Sequence, residues 1–102
     1  MSNHDFIPLI AQYRGVIAQM PPVFGAHEFI LQLAQQNQRL YVEALYAYKD
    51  SPAQGTPTPF MIVHGRLAKS LGDFPDLIKY EGTMASKDIF GHDNGCSQWR
   101  KV

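Results

Sequence analysis

The amino-acid sequence predicts a small single α+β domain over residues 1–102, with two to three N-terminal helices packed around a long central helix and a C-terminal β-hairpin. Three observations support this class. Apolar residues follow the helical period across residues 27–49. That period is lost after residue 72. An Asn-Gly pair, the strongest short-range hairpin signal, lies inside residues 84–102, where we expect the hairpin.

The composition and net charge of the chain argue against several classes of function. The chain is 45% apolar, which is typical of a packed globule. Nine basic and nine acidic residues give a formal charge of zero, so the chain lacks the positive field typical of nucleic-acid and membrane binders. Cys96 is the single cysteine, which excludes an internal disulfide. The sequence shows no signal-peptide pattern and no apolar run long enough to span a bilayer, so we expect a cytoplasmic protein with no membrane partner.

The first predicted helix covers residues 6–20. Asp5 can cap its start, and Pro8 is tolerated in a first turn because its position needs no intrahelical amide bond. Pro21 and Pro22 end the helix. The apolar residues recur at spacings of three and four, namely Phe6, Ile10, Tyr13, Ile17 and Met20.

The central helix is predicted over residues 27–49 and has a broad apolar face. Asn37 falls near the centre of that face, where an aliphatic residue is expected. A buried amide without hydrogen bonds costs roughly 1–3 kcal/mol, so Asn37 constrains either packing within the chain or the choice of a partner. The face consists of Phe29, Ile30, Leu33, Leu40, Tyr41, Ala44 and Tyr48.

A proline-rich stretch at residues 51–59 is predicted to be an internal linker. Thr58 is a suitable N-cap for the next helix, with Pro59 at its first position. We expect this helix to run to Leu71 and stop at Gly72. One face carries Phe60, Val63, His64, Leu67 and Leu71, and the opposite face carries Arg66, Lys69 and Ser70.

Residues 77–80 can form a short strand ahead of the predicted hairpin. In the hairpin, Asn94 and Gly95 form the turn and Phe90 faces Trp99 across the strands. We expect both aromatic side chains to pack on the helices. The same register pairs Asp93 with Cys96 and Asp88 with Lys101.

A short helical turn over residues 86–91 is the alternative to this hairpin. Nearby, His92, Asp93 and Cys96 have the chemistry of metal ligands or of a thiol–imidazole pair. Three residues in one turn do not by themselves converge on a common point. We therefore interpret them as turn residues and predict no metal site.

The sequence carries no phosphate-binding glycine loop and no G-x-S-x-G nucleophile motif. An enzymatic function is not favoured, and no cofactor is predicted. The leading hypothesis is a non-catalytic binding or assembly module, a homo-oligomer formed through the long helix. Asn37, Tyr41 and Tyr48 are the candidate interface residues, because tyrosine suits half-buried interfaces and a buried polar residue can fix oligomer register.

Two alternatives remain open. Basic residues on one helix face and on the hairpin suggest a winged-helix-like nucleic-acid binder, in which a helix enters the major groove. Its candidate residues are Arg66, Lys69, Arg100 and Lys101. The second alternative is a small-molecule pocket lined by tyrosines and His64.

Overall fold

The computed structural model describes residues 4–50 and 57–102. Those residues form helices and a three-stranded antiparallel sheet, which confirms the predicted α+β class and the C-terminal hairpin. Residues 51–56 of the predicted linker lie outside the described residues. The helices are α1 (Ile7–Ile10), α2 (Tyr13–Gln19), α3 (Ala26–Gln36), α4 (Gln38–Ala47) and α5 (Pro59–Ser70), and the strands are β1 (Val23–Gly25), β2 (Ile78–Met84) and β3 (Cys96–Lys101).

The first predicted helix is two short helices, α1 and α2. The backbone N–H of Gln12 donates to the carbonyl of Leu9, three residues back, and this tighter turn separates them. The N-cap position of α1 is Phe6, and Asp5 precedes it. Oδ1 of Asp5 still accepts the N–H of Ile7, the first helical residue, at 3.0 Å. The apolar stripe is preserved across the break: Phe6, Tyr13, Ile17 and Met20 are all buried.

The prediction of one continuous helix over residues 27–49 is wrong. The chain leaves helical geometry at Asn37 (φ −136°, ψ 52°), which ends α3 and precedes α4. Both the backbone N–H and the side-chain Nδ2 of Asn37 donate to the carbonyl of Leu33, at 3.0 and 3.1 Å. A short amide side chain can compete in this way for backbone groups, and here it closes a helix end. The break lets α3 and α4 each pack against α5.

Helix α5 begins as predicted, because Oγ1 of Thr58 accepts the N–H of Met61 at 3.3 Å and Pro59 is the first helical residue. Two of its apolar residues, Val63 and Leu67, are fully buried, and so is Leu71, which directly follows the helix. Ser70 was expected on the exposed face and is instead 4% exposed. It lies one turn from Leu67, where α5 tightens into the 3₁₀ helix Leu71–Asp73.

Strand β3 is the centre of the sheet, with β1 on one side and β2 on the other. Trp99 pairs with Phe24 of β1 and with Tyr80 of β2, so the predicted pairing with Phe90 is wrong. A bulge in β2 follows Tyr80, where Gly82 adopts a φ of +106°, a left-handed conformation that favours glycine. Strand β1 was not predicted because three residues are too few to show a period.

The other predicted pairs of the hairpin are also wrong: Cys96 pairs with Met84, and Lys101 pairs with Ile78. The strands are joined by a loop of residues 85–95 rather than by a two-residue turn. Oδ1 of Asp88 accepts backbone N–H groups inside this loop, which folds the loop on itself. Within the loop, Lys87 and Asp93 form an isolated antiparallel bridge, and the N–H of Gly91 donates to the carbonyl of Asp88 in a single turn. Residues 86–91 therefore form a turn inside an irregular hairpin and not a helix.

The core lies between the helices and the sheet. Trp99 belongs to it and is 9% exposed, as expected. Phe90 contacts α5 but is half exposed, so it is not a core residue. Among the described residues, no helix has the length and apolarity needed to cross a membrane.

Candidate functional site

A cleft of about 590 Å³ lies between α3, α5 and the loop of residues 85–95. Its floor is apolar and includes Ala26, Ile30 and Ala68. Binding sites for small molecules are mostly apolar clefts of roughly 300–1,000 Å³ with a few polar groups. The size and the lining of this cleft therefore match such a site.

Aromatic rings form one wall of the cleft. Phe60 and His64 lie one turn apart on α5, and Phe90 reaches them from the loop. The ring centroids of Phe60 and Phe90 are 4.7 Å apart in an edge-to-face contact, and those of His64 and Phe90 are 6.2 Å apart in a stacked arrangement. Phe60 is 41% exposed and Phe90 is 50% exposed. Much of this aromatic surface is therefore available to a ligand.

His64 is held from behind by Tyr41 of α4. The phenolic oxygen of Tyr41 lies 2.6 Å from Nε2 of His64, and the two rings stack. Burial raises the pKa of Tyr41 to about 12, so it remains a phenol at neutral pH. Burial, together with the nearby His27, lowers the pKa of His64 below its usual value. His64 is therefore a neutral imidazole in the folded protein at neutral pH.

The hydrogen bonds around His27, in the first turn of α3, indicate which ring nitrogen faces a hydroxyl acceptor. Nδ1 of His27 lies 3.0 Å from Oγ of Ser86, and this hydroxyl already donates its single proton to the carbonyl of Lys87. With its proton on that carbonyl, Oγ of Ser86 is placed to accept from Nδ1–H of His27. In the neutral ring, Nε2 of His27 is then a hydrogen-bond acceptor.

Asp88 contributes a carboxylate to the cleft. Its Oδ1 accepts the backbone N–H groups of His92 and Phe90, at 3.0 and 2.9 Å. These bonds hold the pKa of Asp88 below its usual value, so the side chain is ionised at neutral pH. Oδ2 is 3.8 Å from Nδ1 of His92, which is longer than a hydrogen bond. One carboxylate oxygen thus keeps capacity to accept a bond from a ligand.

His92, Asp93 and Cys96 do not meet at one point. Asp93 forms an ion pair with Lys87, with Nζ and Oδ1 2.7 Å apart. His92 and Cys96 line the cleft. Within the described ranges, no three His, Cys, Asp or Glu side chains are grouped closely enough to hold a metal ion.

The residues predicted for self-association have contacts within the chain. Asn37 is half-buried and binds the carbonyl of Leu33. Tyr48 is buried, and its ring stacks on Phe6. Tyr41 supports His64 at the cleft. The assembly hypothesis also assumed one continuous helix over residues 27–49, and that helix is interrupted at Asn37.

The four predicted nucleic-acid-binding cations are spread over the structure. The guanidinium of Arg66 lies over the ring of Phe6, and Lys69 is exposed in the last turn of α5.

On the sheet, Arg100 forms an ion pair with Glu81, and Nζ of Lys101 donates to the carbonyl of Ala18. Arg66 and Lys69 border a separate pocket beside Asp73, and the two sheet cations do not line it. No contact among these residues favours a nucleic-acid interface.

Sequence reasoning missed two residues of the cleft, His27 and Asp88. They are far from His64 along the chain, so no local spacing connects them. The sequence feature that indicated this cleft was the pair Phe60 and His64, which lie one helical turn apart on an apolar face.

Comparison with models of protein families, with curated proteins and with solved structures finds no match for this chain. The functional argument therefore depends on the cleft.

Proposed function

We propose that this protein binds a small molecule in the cleft between α3, α5 and the loop of residues 85–95. The observation that supports this most strongly is the half-exposed aromatic wall of Phe60 and Phe90 beside ordered polar groups. Exposed aromatic side chains that converge on a concave surface are typical of binding sites. The hypothesis develops the pocket that His64 suggested in the sequence.

The energetics favour a ligand that covers the aromatic wall. Removing apolar surface from water is worth roughly 25 cal/mol per Å². Covering the exposed parts of Phe60 and Phe90 therefore contributes about 1 kcal/mol or more from each ring. His27, His64 and Asp88 then orient the ligand by hydrogen bonds and charge.

A thermal-shift screen tests the proposal, because a ligand that binds the native state raises the melting temperature. The library should contain matched neutral, anionic and cationic compounds at millimolar concentration. We expect hits whose shift is lost in Phe60→Ala and kept in Tyr46→Ala. Tyr46 is the matched control because it is an exposed aromatic residue on α4 outside the cleft. Hits insensitive to Phe60→Ala, or a screen without hits, would contradict the proposal.

A second candidate function is self-association through α4. Val42 and Tyr46 lie one turn apart on this helix and are 58% and 68% exposed, which supports a contact surface on its outer face. Light scattering after size exclusion should then report an oligomer that Val42→Glu converts to a monomer. A monomeric wild-type protein at tens of micromolar would remove this candidate.

A further inference from the structure

We propose that the ligand of this cleft is a small organic cation, an alkyl- or arylammonium group held between the carboxylate of Asp88 and the ring faces of Phe60 and Phe90. This inference rests on the proposed function, because it requires that the cleft binds a small molecule. It adds the charge and the chemical class of the ligand.

The charges around the cleft favour a cation. The described residues that line it include one carboxylate, Asp88, and no lysine, arginine or glutamate. The lysine of the loop, Lys87, forms an ion pair through its Nζ with Asp93, which is not a lining residue. The ionisable side chains with a basic nitrogen in the lining are three histidines, His27, His64 and His92. An anionic ligand would meet the Asp88 carboxylate without a lysine or arginine to compensate its charge. A cationic ligand would be attracted by it.

The geometry of Asp88 prepares it for this role. Two backbone N–H groups fix Oδ1, and the side chain is 21% exposed. The orientation of the carboxylate is therefore set before a ligand arrives, and less conformational freedom is lost on binding. Oδ2 is the oxygen available to an ammonium group, because Nδ1 of His92 lies 3.8 Å from it, which is too far for a hydrogen bond.

The aromatic residues add a second attraction. A cation is drawn to the negative face of an aromatic ring when it lies within about 6 Å of the centroid. Phe60 and Phe90 meet edge to face, so their ring planes are steeply inclined and border the same space. The interplanar angle is 75°. Two inclined rings beside one carboxylate are a suitable surround for an alkylammonium group.

Three imidazoles line the cleft, and two of them, His64 and His27, have contacts that bear on how a cation is received. Burial lowers the pKa of His64, which stays neutral and does not repel a positive ligand at neutral pH. Nε2 of His27 is an acceptor in the neutral ring, because the Ser86 hydroxyl accepts from Nδ1–H. It can accept a hydrogen bond from an ammonium N–H or from a ligand hydroxyl.

A pair of isosteric probes tests the inference. Choline and 3,3-dimethylbutan-1-ol have nearly the same shape, and choline alone is charged. NMR titration of the ¹⁵N-labelled protein should show choline binding at least about tenfold more tightly than the alcohol. Equal affinities for the two probes would overturn the inference.

Two variants locate the charge that matters. Asp88→Asn keeps an oxygen that can accept the N–H groups of Phe90 and His92, and it removes the charge. We expect it to weaken choline binding at least about tenfold and to leave alcohol binding within about twofold. Asp93→Asn is the matched control, since it removes a carboxylate of the same loop outside the cleft. Choline affinity that survives Asp88→Asn, or falls equally in Asp93→Asn, would contradict the proposal.

The outcomes separate the two proposals. If neutral or anionic compounds perturb cleft residues and choline does not, the cleft binds a ligand of another charge and the inference fails alone. If no compound of any charge perturbs the cleft, both proposals fail. Asp88→Asn could also disturb the loop, which would appear as large amide shifts without ligand. In that case the comparison of choline with the alcohol on the wild-type protein tests whether the ligand is a cation.

Discussion

The phenolic oxygen of Tyr41 and Nε2 of His64 lie 2.6 Å apart, and their ring centroids are 5.8 Å apart in a stacked arrangement. This pair connects α4 to α5 directly behind the aromatic wall of the cleft. Packing of α4 therefore helps to fix the orientation of a residue that lines the cleft. The interruption at Asn37 sets where α4 begins, and so helps to place this contact.

The neutrality of His64 gives a pH-dependent stability. Burial and the nearby His27 lower its pKa in the folded state below the ordinary value of 6.5. Between that lowered pKa and 6.5 the unfolded state binds more protons, so the free energy of unfolding falls as pH decreases through this window. The contribution of His64 to the free energy of unfolding is therefore complete above pH 6.5. The decrease stops at the pH where His64 is also protonated in the folded state.

The comparison of wild type with His64→Phe isolates this effect. Between about pH 7.5 and about pH 5, chemical denaturation should show a larger loss of stability for the wild type than for the variant. NMR titration of the His64 ring should give a pKa below the ordinary value. Equal pH slopes for the two proteins would show that His64 titrates normally in the fold.

Tyr13 stabilises the end of α5. Its buried hydroxyl donates to the carbonyl of Leu67 at 2.6 Å. In a continuing α-helix the N–H of Leu71 would bond this carbonyl, but that N–H donates to the carbonyls of Ala68 and Lys69 instead. Tyr13→Phe leaves the buried carbonyl without this donor and should cost about 1–2 kcal/mol in urea denaturation.

Tyr46→Phe is the matched control for Tyr13→Phe, because the Tyr46 side chain is 68% exposed. It removes the same hydroxyl and should change stability by less than about 0.5 kcal/mol. Similar effects of the two substitutions would mean that the Tyr13 hydrogen bond contributes little.

Asn37 ends α3, so its replacement should destabilise the fold. Asn37→Ala removes the Nδ2 bond to the Leu33 carbonyl and is expected to cost about 1 kcal/mol. In a continuous helix the same substitution would stabilise, because alanine has the higher helix propensity. Gln35→Ala, at an exposed position near the end of α3, serves as the control. A gain of stability in Asn37→Ala would contradict the interrupted helix.

Two glycine-to-alanine substitutions should change the stability of the fold in opposite directions. A Cβ at buried Gly25 would lie 2.9 Å from Sδ of Met84 and 3.1 Å from Sγ of Cys96. Gly25→Ala should therefore destabilise by about 1 kcal/mol, the low end of overpacking costs, because the flexible Met84 side chain can shift. Met84→Ala in the same chain should relieve part of this loss. A Cβ at Gly15 in α2 meets no atom within 4 Å.

Gly15→Ala should stabilise by about 0.5–1 kcal/mol, because alanine loses less backbone freedom in a helix. Thermal unfolding of the two variants checks both signs. Destabilisation by Gly15→Ala, or tolerance of Gly25→Ala without any loss, would argue against the packing around α2 and β1.

Helix α5 shows what the sequence could predict. Its cap at Thr58, its first residue Pro59 and its buried stripe depend on neighbours within a few positions, so local patterns were sufficient. The C-terminal end of α5 was less predictable from local patterns than its N-terminal end. The burial of Ser70 depends on packing around Tyr13, which no local pattern contains.

Asn37 shows where sequence reasoning reaches its limit. The sequence places an amide among apolar residues, and the amide can bond either a partner or its own backbone. The outcome depends on whether α3 and α4 bury more surface as one rod or as two helices against α5. That balance involves residues distant in the chain, so the break was not predicted.

The cleft was only partly predictable for the same reason. His64 was singled out, but His27 and Asp88 reach the same cleft through the packing of α3 and through the folded loop of residues 85–95. The Asn-Gly signal favoured a tight turn, whereas the hydrogen bonds of Asp88 support a longer loop. That longer loop supplies one side of the cleft.

The most direct test of the central claim, that the cleft binds a small molecule, is mapping of amide shift changes during ligand titration of the labelled protein. The compounds should cover the three charge classes of the thermal-shift screen. We expect saturable changes at Gly65, Gly95 and Ser97, which line the cleft, and none at Gly15 or Gly72, which do not. Changes confined to other surfaces, or none with any compound at millimolar concentration, would contradict the assignment of this cleft as a binding site.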